Sequence, residues 1–211
     1  MGLGKNFRIR LMMGLGLAFL ASTSAAAQCV VGPDEMLDPL KFNRSAYEIV
    51  HKDSGFAFPS VIAGFRRECE MTTDFTGNNF EIGYVKDIGD KTVDVKIVVI
   101  HLEDLTARDH FMIVKPDILS HYSSASAVSE GEYFVSGRPD LDSYQGIFDG
   151  EFENTPWHFS VTAIDYGYWD ARLIASYPQE IDELAQQGLM ELITAFQWQT
   201  PVDEKQADSE K

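Results

Sequence analysis

The stretch "TVDVKIVVIHL", residues 92–102, alternates apolar and polar side chains over most of its length. A β-strand turns successive side chains to opposite faces of its sheet, so this alternation predicts a strand with one buried face and one face in solvent. The polar positions are Thr92, Asp94 and Lys96. The apolar positions are Val93, Val95, Ile97 and Val99.

Two similar stretches precede this strand, each separated from the next by a short turn. Their alternating apolar residues are Phe80, Ile82 and Tyr84 in one stretch and Phe65, Cys69 and Met71 in the other. Three such stretches joined by turns predict an antiparallel meander. Arg67 interrupts the first of them, which indicates either a β-bulge or an arginine whose aliphatic part lies against the core. Upstream, "GFAFP", residues 55–59, predicts a short strand that ends at its proline.

Two later segments have the residue spacing of helices. Thr106 and Asp109 form a capping box, in which both side chains cap the first turn, and Pro116 should kink or divide this helix. Ser176 and Gln179 repeat the capping pattern before the second helix. The apolar stripes consist of Phe111, Val114, Ile118 and Tyr122 in the first helix and Ile181, Leu184, Ala185, Leu192 and Phe196 in the second.

Between the helices, the sequence returns to strand patterns. We interpret "SSASAVSEG", residues 123–131, as a polar connector, and we expect strands in "EYFV", "SYQGIFDGEFE", "WHFSVTAI" and "ARLIAS". The order of elements predicts an α+β fold, with an antiparallel sheet packed against a middle helix and a C-terminal amphipathic helix. A single domain should span residues 45–198, after a leader at residues 28–44 and before a disordered acidic tail at residues 199–211.

The first 27 residues have the three-part pattern of a secretory signal peptide. A basic start is followed by the apolar run "LMMGLGLAFLA" and then by small residues, with the expected cut after Ala27. The apolar run is shorter than the roughly 20 residues of a bilayer span, so a signal anchor is the weaker alternative. We expect a periplasmic or secreted protein that does not span the membrane after the signal is removed.

The chain is acidic, with a formal net charge of −16. Residues 1–27 hold three basic and no acidic side chains, so removing them leaves 184 of the 211 residues and moves the charge to −19. Such a protein should be repelled by nucleic acid and by anionic lipid. Cationic partners remain open, and so does the simpler alternative that acidity keeps an exported protein soluble.

Cys29 and Cys69 are the two cysteines of the chain. An oxidising compartment favours a disulfide between them, and with two cysteines only one intramolecular pairing exists. A redox role is the weaker alternative, because neither cysteine belongs to a Cys-x-x-Cys motif.

The aromatic stretch "IDYGYWDAR", residues 164–172, is the candidate binding site. Its residues Tyr166, Tyr168 and Trp169 lie around a turn between Asp165 and Asp170, so some of the rings should be near solvent. Rings beside carboxylates suit a carbohydrate or a peptide. The alternative is that the strands run longer and the rings cover the sheet edge.

Other patterns point less clearly to chemistry. Asp149, Glu151 and Glu153 share one strand face, which is typical of a solvated surface but also permits a weak calcium site. The histidines have no metal-ligand spacing, and "SHYSSAS", residues 120–126, lacks a nucleophile elbow. We therefore predict no catalytic residue, no metal ligand and no cofactor.

The succession of elements resembles the PsbP-like α/β sandwich superfamily. The sequence is also similar to small exported proteobacterial proteins that open with "SGF-x-FP … GF-x-R", on the residues Ser54, Gly55, Phe56, Phe58, Pro59, Gly64, Phe65 and Arg67. This resemblance implies a binding or assembly-accessory role, and it supplies no ligand residues.

These observations together predict an exported, non-enzymatic protein that binds or helps assemble a protein or glycan partner at the cell envelope. One alternative is an envelope hydrolase whose residues meet only in three dimensions, which requires a pocket containing a histidine next to a carboxylate or a serine. The other is a calcium-dependent binding module.

Overall fold

The computed structural model describes residues 40–72, 74, 76–102, 104–120 and 123–200. The predicted signal peptide, Cys29, His121, Tyr122 and residues 201–211 lie outside the described residues. The disulfide between Cys29 and Cys69 therefore stays a prediction.

The described chain contains a large and a small antiparallel sheet and two α-helices. The small sheet has the order β1-β2-β3, and the large one has the order β4-β5-β6-β7-β11-β10-β9-β8. The first seven strands are β1 (Phe42–Arg44), β2 (Glu48–His51), β3 (Ala57–Pro59), β4 (Val61–Ile62), β5 (Phe65–Thr72), β6 (Asn79–Ile88) and β7 (Lys91–His101). After α1 (Ala107–Ser120) come β8 (Ser123–Glu132), β9 (Ser143–Phe152), β10 (Thr155–Asp165), β11 (Trp169–Pro178), a short 3₁₀ turn (Gln179–Ile181) and α2 (Asp182–Ala195). The predicted α+β class is confirmed, and so is the antiparallel meander, which is β5 to β7.

Each helix covers one half of the large sheet, and the two helices lie on opposite faces. Helix α1 packs on β8, β9 and β10, where Phe111 meets Phe148 and Val161 in a small core. Helix α2 and the small sheet pack over β5, β6, β7 and β11 on the other face, in a larger core that includes Tyr84 and Leu189. The α2 face of β9 and β10 lies beyond the main contact area of α2.

Arg67 lies at a β-bulge. The pairing of β5 with β6 shifts register between Arg67 and Glu70, which confirms that the interruption in the sequence pattern marks a bulge. The Arg67 backbone N–H donates to the Ser60 carbonyl, and its guanidinium donates to the Phe58 carbonyl. Arg67 thus ties the large sheet to β3.

The start of α1 agrees with the sequence. The Asp109 backbone N–H donates to the Thr106 hydroxyl over 3.1 Å, and this hydroxyl donates to the Asp109 carboxylate over 2.8 Å. The helix continues through Pro116, so Pro116 does not divide it.

Two predictions between the helices and at the start of α2 are wrong. The expected connector at residues 123–131 is the edge strand β8, while Tyr133–Val135 of the expected "EYFV" strand lie in a loop. An edge strand is held by backbone hydrogen bonds to one neighbour, so serine and alanine side chains suffice and leave no apolar alternation. The capping box at Ser176 does not form, because pairing between β10 and β11 keeps the chain extended as far as Pro178.

Gly146 should be intolerant of any side chain. A Cβ at this position would lie 2.6 Å from Phe111 Cζ and 2.7 Å from Phe148 Cζ, whereas a Cβ on Gly131 would meet nothing within 4 Å. We expect Gly146→Ala to lower the free energy of unfolding by about 1–3 kcal/mol through overpacking. The matched control Gly131→Ala should stay within about 0.5 kcal/mol of the parent in urea unfolding. Equal effects of the two changes would contradict the packing of α1 on β9.

Candidate functional site

A cleft opens on the α2 face of the large sheet, between α2 and strands β9, β10 and β11. Its volume is about 250 Å³. Its walls are Tyr133, Gln145, Ile147, Ser160, Tyr177, Gln186, Gln187, Leu189 and Met190. We call it the α2 cleft.

The floor of the α2 cleft is polar because of the alternation in β10. Phe159, Val161 and Ala163 point towards α1 or into that side of the sheet, and the residues between them face the cleft side. Two of these, Ser160 and Thr162, are buried although they are polar. The Gln145 amide donates to the Thr162 hydroxyl over 2.8 Å. Ser160, which lines the cleft, therefore has a small hydroxyl side chain where a bulky apolar one would fill the space under α2.

The α2 cleft has no charged lining. None of its described wall residues is Asp, Glu, Lys, Arg or His, although the chain as a whole carries a net charge of −16. Burial raises the pKa of Tyr133. Burial, followed by the charge of Asp182, also raises the pKa of Tyr177. Both phenols stay neutral at physiological pH, so each keeps its O–H as a donor.

His158 joins three elements next to the α2 cleft, where its ring packs against the wall residue Tyr177. Its ring donates from Nε2 to Asp149 Oδ1 over 2.7 Å and from Nδ1 to Asp182 Oδ1 over 2.6 Å. These bonds connect β10 to β9 and to the first residue of α2. The Gln179 amide also donates to Asp149, and the Gln186 amide donates to Asp182. We call His158, Asp149 and Asp182 the His158 clamp.

The geometry of the His158 clamp defines its chemistry. A neutral imidazole has one N–H and can donate to one acceptor, so two carboxylates facing the two ring nitrogens require the imidazolium form. Burial alone would raise the pKa of Asp182, but hydrogen bonds from Gln186 and His158 outweigh it and hold this pKa below its usual value. While both of its nitrogens are bonded to carboxylates, the ring has no lone pair free to accept a proton from a substrate.

The row of carboxylates predicted on β9 is shorter than expected. Asp149 contacts His158, and β9 ends at Phe152, so Glu153 lies in the following turn with a φ of 49°. Within the described ranges, no cluster of three or more His, Cys, Asp or Glu side chains has a metal-binding arrangement.

The predicted aromatic site is mostly buried. Tyr166 is 2% exposed and Trp169 is 4% exposed, while Tyr168 is 38% exposed. Tyr166 packs against Phe56 and Trp198, and Trp169 packs against His51 of the small sheet. The surface exposure on which an aromatic platform depends is found for Tyr168 alone. The binding role of these residues stays a prediction.

The two aspartates of the aromatic site are engaged within the protein. Asp170 is 1% exposed, and its Oδ2 lies 2.7 Å from His110 Nδ1, which ties β11 to α1. Asp165 accepts a hydrogen bond from the Gly167 backbone N–H over 2.6 Å. Burial raises the pKa of Asp165, and the charges of Asp170 and Asp142 act in the same direction.

A histidine and a serine meet beside a second cavity of about 340 Å³, between β3 and residues 195–200. His51 Nδ1 lies 2.8 Å from the Ser54 hydroxyl oxygen, and Ser54 lines the cavity. The pair closes a local turn, because the Ser54 backbone N–H donates to His51 and the Phe56 N–H donates to Ser54. Burial lowers the pKa of His51 to about 4, which makes it a weak base at neutral pH. The pair therefore does not support a hydrolase.

The residues of the α2 cleft were missed in the sequence. The available signal was the alternation in "WHFSVTAI", where the polar His158, Ser160 and Thr162 occupy one face of a strand whose other face is apolar. That pattern is typical of a solvated strand face, and only the position of α2 distinguishes it from a cleft floor.

Comparisons with known proteins identify no family. No protein-family description and no curated protein sequence matches the chain. A solved structure described as LpqN, involved in cell envelope biogenesis of Mycobacterium tuberculosis, aligns with a TM-score of 0.39 and 9% identity, over 53% of this chain and 67% of that one. A likeness at this level carries no conclusion about function. In the described part of the chain, no helix is long and apolar enough to cross a bilayer.

The environment of His51 predicts how it titrates. The pKa of His51 is about 4, below the ordinary 6.5. Between these two pH values, His51 is mostly protonated in the unfolded chain and mostly neutral in the folded chain. The contribution of His51 to stability should therefore be lost as the pH falls from about 6.5 to about 4. In an NMR titration, the His51 Cε1–H signal should move with a midpoint near 4, and a midpoint near 6.5 would contradict the buried position of the ring.

Proposed function

We propose that the protein is a non-enzymatic binding protein of the cell envelope that holds one unit of an uncharged glycan in the α2 cleft. The main support for this proposal is that the cleft is lined by uncharged hydroxyl, amide and apolar groups, although the chain has a net charge of −16. The predicted signal peptide supports the envelope location.

The lining suits the chemistry of a sugar. Sugar hydroxyls both donate and accept hydrogen bonds, as do the side chains of Ser160 and the glutamines Gln145, Gln186 and Gln187. Tyr133 adds a ring next to the C–H face that a sugar presents. The walls thus combine polar groups that orient a ligand with apolar groups that desolvate it.

Tyr177 offers a further donor on the cleft floor. Its side chain is fully buried, and its hydroxyl has no hydrogen bond of normal geometry within the described part of the chain, although Asp182 is close enough to affect its pKa. A buried hydroxyl without a well-formed hydrogen bond is costly, and a ligand hydroxyl would relieve that cost.

The size of the α2 cleft favours one unit of a chain over a free small molecule. Its volume of about 250 Å³ is below the roughly 300–1,000 Å³ of sites for drug-sized ligands. Binding without turnover is supported because carboxylates engage both ring nitrogens of His158 and because His51 does not line the α2 cleft.

Calorimetry with two matched oligosaccharides tests the charge argument. The processed protein is titrated with a neutral N-acetylglucosamine tetramer and with an anionic galacturonic acid tetramer. We expect heat of binding from the neutral tetramer alone, because the acidic protein repels the anionic one. Binding of the anionic tetramer alone, or of neither, would contradict the proposal.

A pair of tyrosine variants locates the site. Tyr133→Phe removes one hydroxyl from the cleft wall, while the control Tyr47→Phe removes one from a tyrosine that is 79% exposed on the small sheet side. A hydrogen bond between neutral groups contributes about 0.5–1.5 kcal/mol, so Tyr133→Phe should raise the Kd for the neutral tetramer by about 2- to 12-fold. Tyr47→Phe should leave its Kd unchanged. Equal Kd values for the two variants would place binding elsewhere.

A further inference from the structure

We propose that the His158 clamp makes α2 a pH-sensitive wall of the α2 cleft. Protonated His158 holds the first turn of α2 against β9 and β10, and loss of the proton releases that turn. The ligand part of this proposal rests on the proposed glycan binding, whereas the movement of α2 does not depend on it.

The clamp acts at the point where α2 begins. Asp182 is the first residue of α2, and its carboxylate accepts a hydrogen bond from His158 over 2.6 Å. One turn later, Gln186 donates to the same carboxylate over 2.7 Å and lines the α2 cleft. The imidazolium is therefore connected to the cleft wall through one carboxylate.

The rest of α2 is anchored by other means. Towards its C-terminal end, Leu192 and Ile193 are buried in the main core. Gly188 lies so close to Lys86 that a Cβ there would be 3.1 Å from Nζ, and Lys86 in turn donates to the Ala63 carbonyl. Release of the clamp would therefore loosen the first turns of α2 and leave its later turns packed.

The groups that face His158 determine what the clamp loses when the ring loses a proton. They are Asp149 from β9, the ring of Tyr177 from β11, and Asp182 from α2. Nearby on the 3₁₀ turn, Glu180 is paired with Lys91 over 2.7 Å, and Glu151 is exposed further along β9. With the proton, one positive charge lies between two carboxylates. Without it, a neutral ring can donate to only one of them, and the other carboxylate loses its partner.

The direction of the effect follows from this arrangement. The pKa of Asp182 lies below its usual value, so its carboxylate stays ionised at neutral pH and the imidazole is the group that changes charge. The clamp makes both of its hydrogen bonds while the two ring nitrogens of His158 each carry a hydrogen, and it loses one of them when the ring gives up a proton. The side chains of His158, Asp182 and Asp149 are 14%, 35% and 47% exposed, so a proton can reach the site from solvent.

Hydrogen exchange of the processed protein at pH 5.5 and pH 8.0, corrected for intrinsic exchange rates, tests the movement of α2. We expect the protection of amides 185–187, whose hydrogen bonds close the first turn of α2, to fall by about tenfold or more at pH 8.0, while the β5–β7 amides keep theirs. His158→Gln should show the low protection at both pH values. The control His101→Gln changes a ring at the end of β7, where it stacks on Tyr168, far from His158. This variant should behave like the parent. Equal protection of α2 at both pH values in the parent, or a pH effect that persists in His158→Gln, would overturn the proposal.

Calorimetry at the same two pH values separates the two proposals. We expect the Kd for the neutral N-acetylglucosamine tetramer to rise at least several-fold at pH 8.0, and to be independent of pH in His158→Gln. No binding at either pH, together with a pH-dependent α2, would overturn the glycan proposal and leave the clamp supported. Equal Kd values at both pH values, together with a pH-dependent α2, would overturn the coupling of the clamp to the cleft.

Discussion

The main constraint on this fold is that two helices and a three-stranded sheet must cover an eight-stranded sheet. Helix α1 covers the half formed by β8 to β10 on one face, and α2 with the small sheet covers the half formed by β5 to β7 and β11 on the other. Burying apolar surface supplies most of the driving force, so each sheet half is apolar where an element covers it. The α2 cleft lies where coverage by α2 ends and the sheet side chains become polar.

The charges of the protein are arranged around this cleft and not inside it. Among the described residues, no acidic side chain belongs to the cleft walls, and two acidic side chains, Asp149 and Asp182, are held by His158 next to the cleft. A strong net charge keeps a protein soluble and repels anionic partners, while an uncharged recess can bind a neutral ligand without desolvating an ion. The His158 clamp adds an element that depends on one proton, at the end of the helix that forms a cleft wall.

Much of the scaffold could be predicted from the sequence because one-sided burial leaves a periodic pattern. The alternation through β6 and β7 and the capping box of α1 show this. Strand β8 could not be predicted, since an edge strand of serines has no apolar face to repeat. Which rings of the aromatic hairpin are exposed could not be predicted from its turn, since the small sheet and Trp198, distant in sequence, cover Tyr166 and Trp169 and leave Tyr168 partly exposed. The α2 cleft depends on where a helix ends relative to a sheet, which no local pattern encodes.

Backbone amide chemical-shift mapping during titration with the neutral N-acetylglucosamine tetramer is the decisive experiment for glycan binding in the α2 cleft, because it reports on every surface of the protein at once. We expect the largest shifts on Gln145, Ser160 and Gln186, which line the α2 cleft. Shifts concentrated at Tyr166–Trp169, with none in the α2 cleft, would contradict this expectation and return the binding site to the aromatic hairpin.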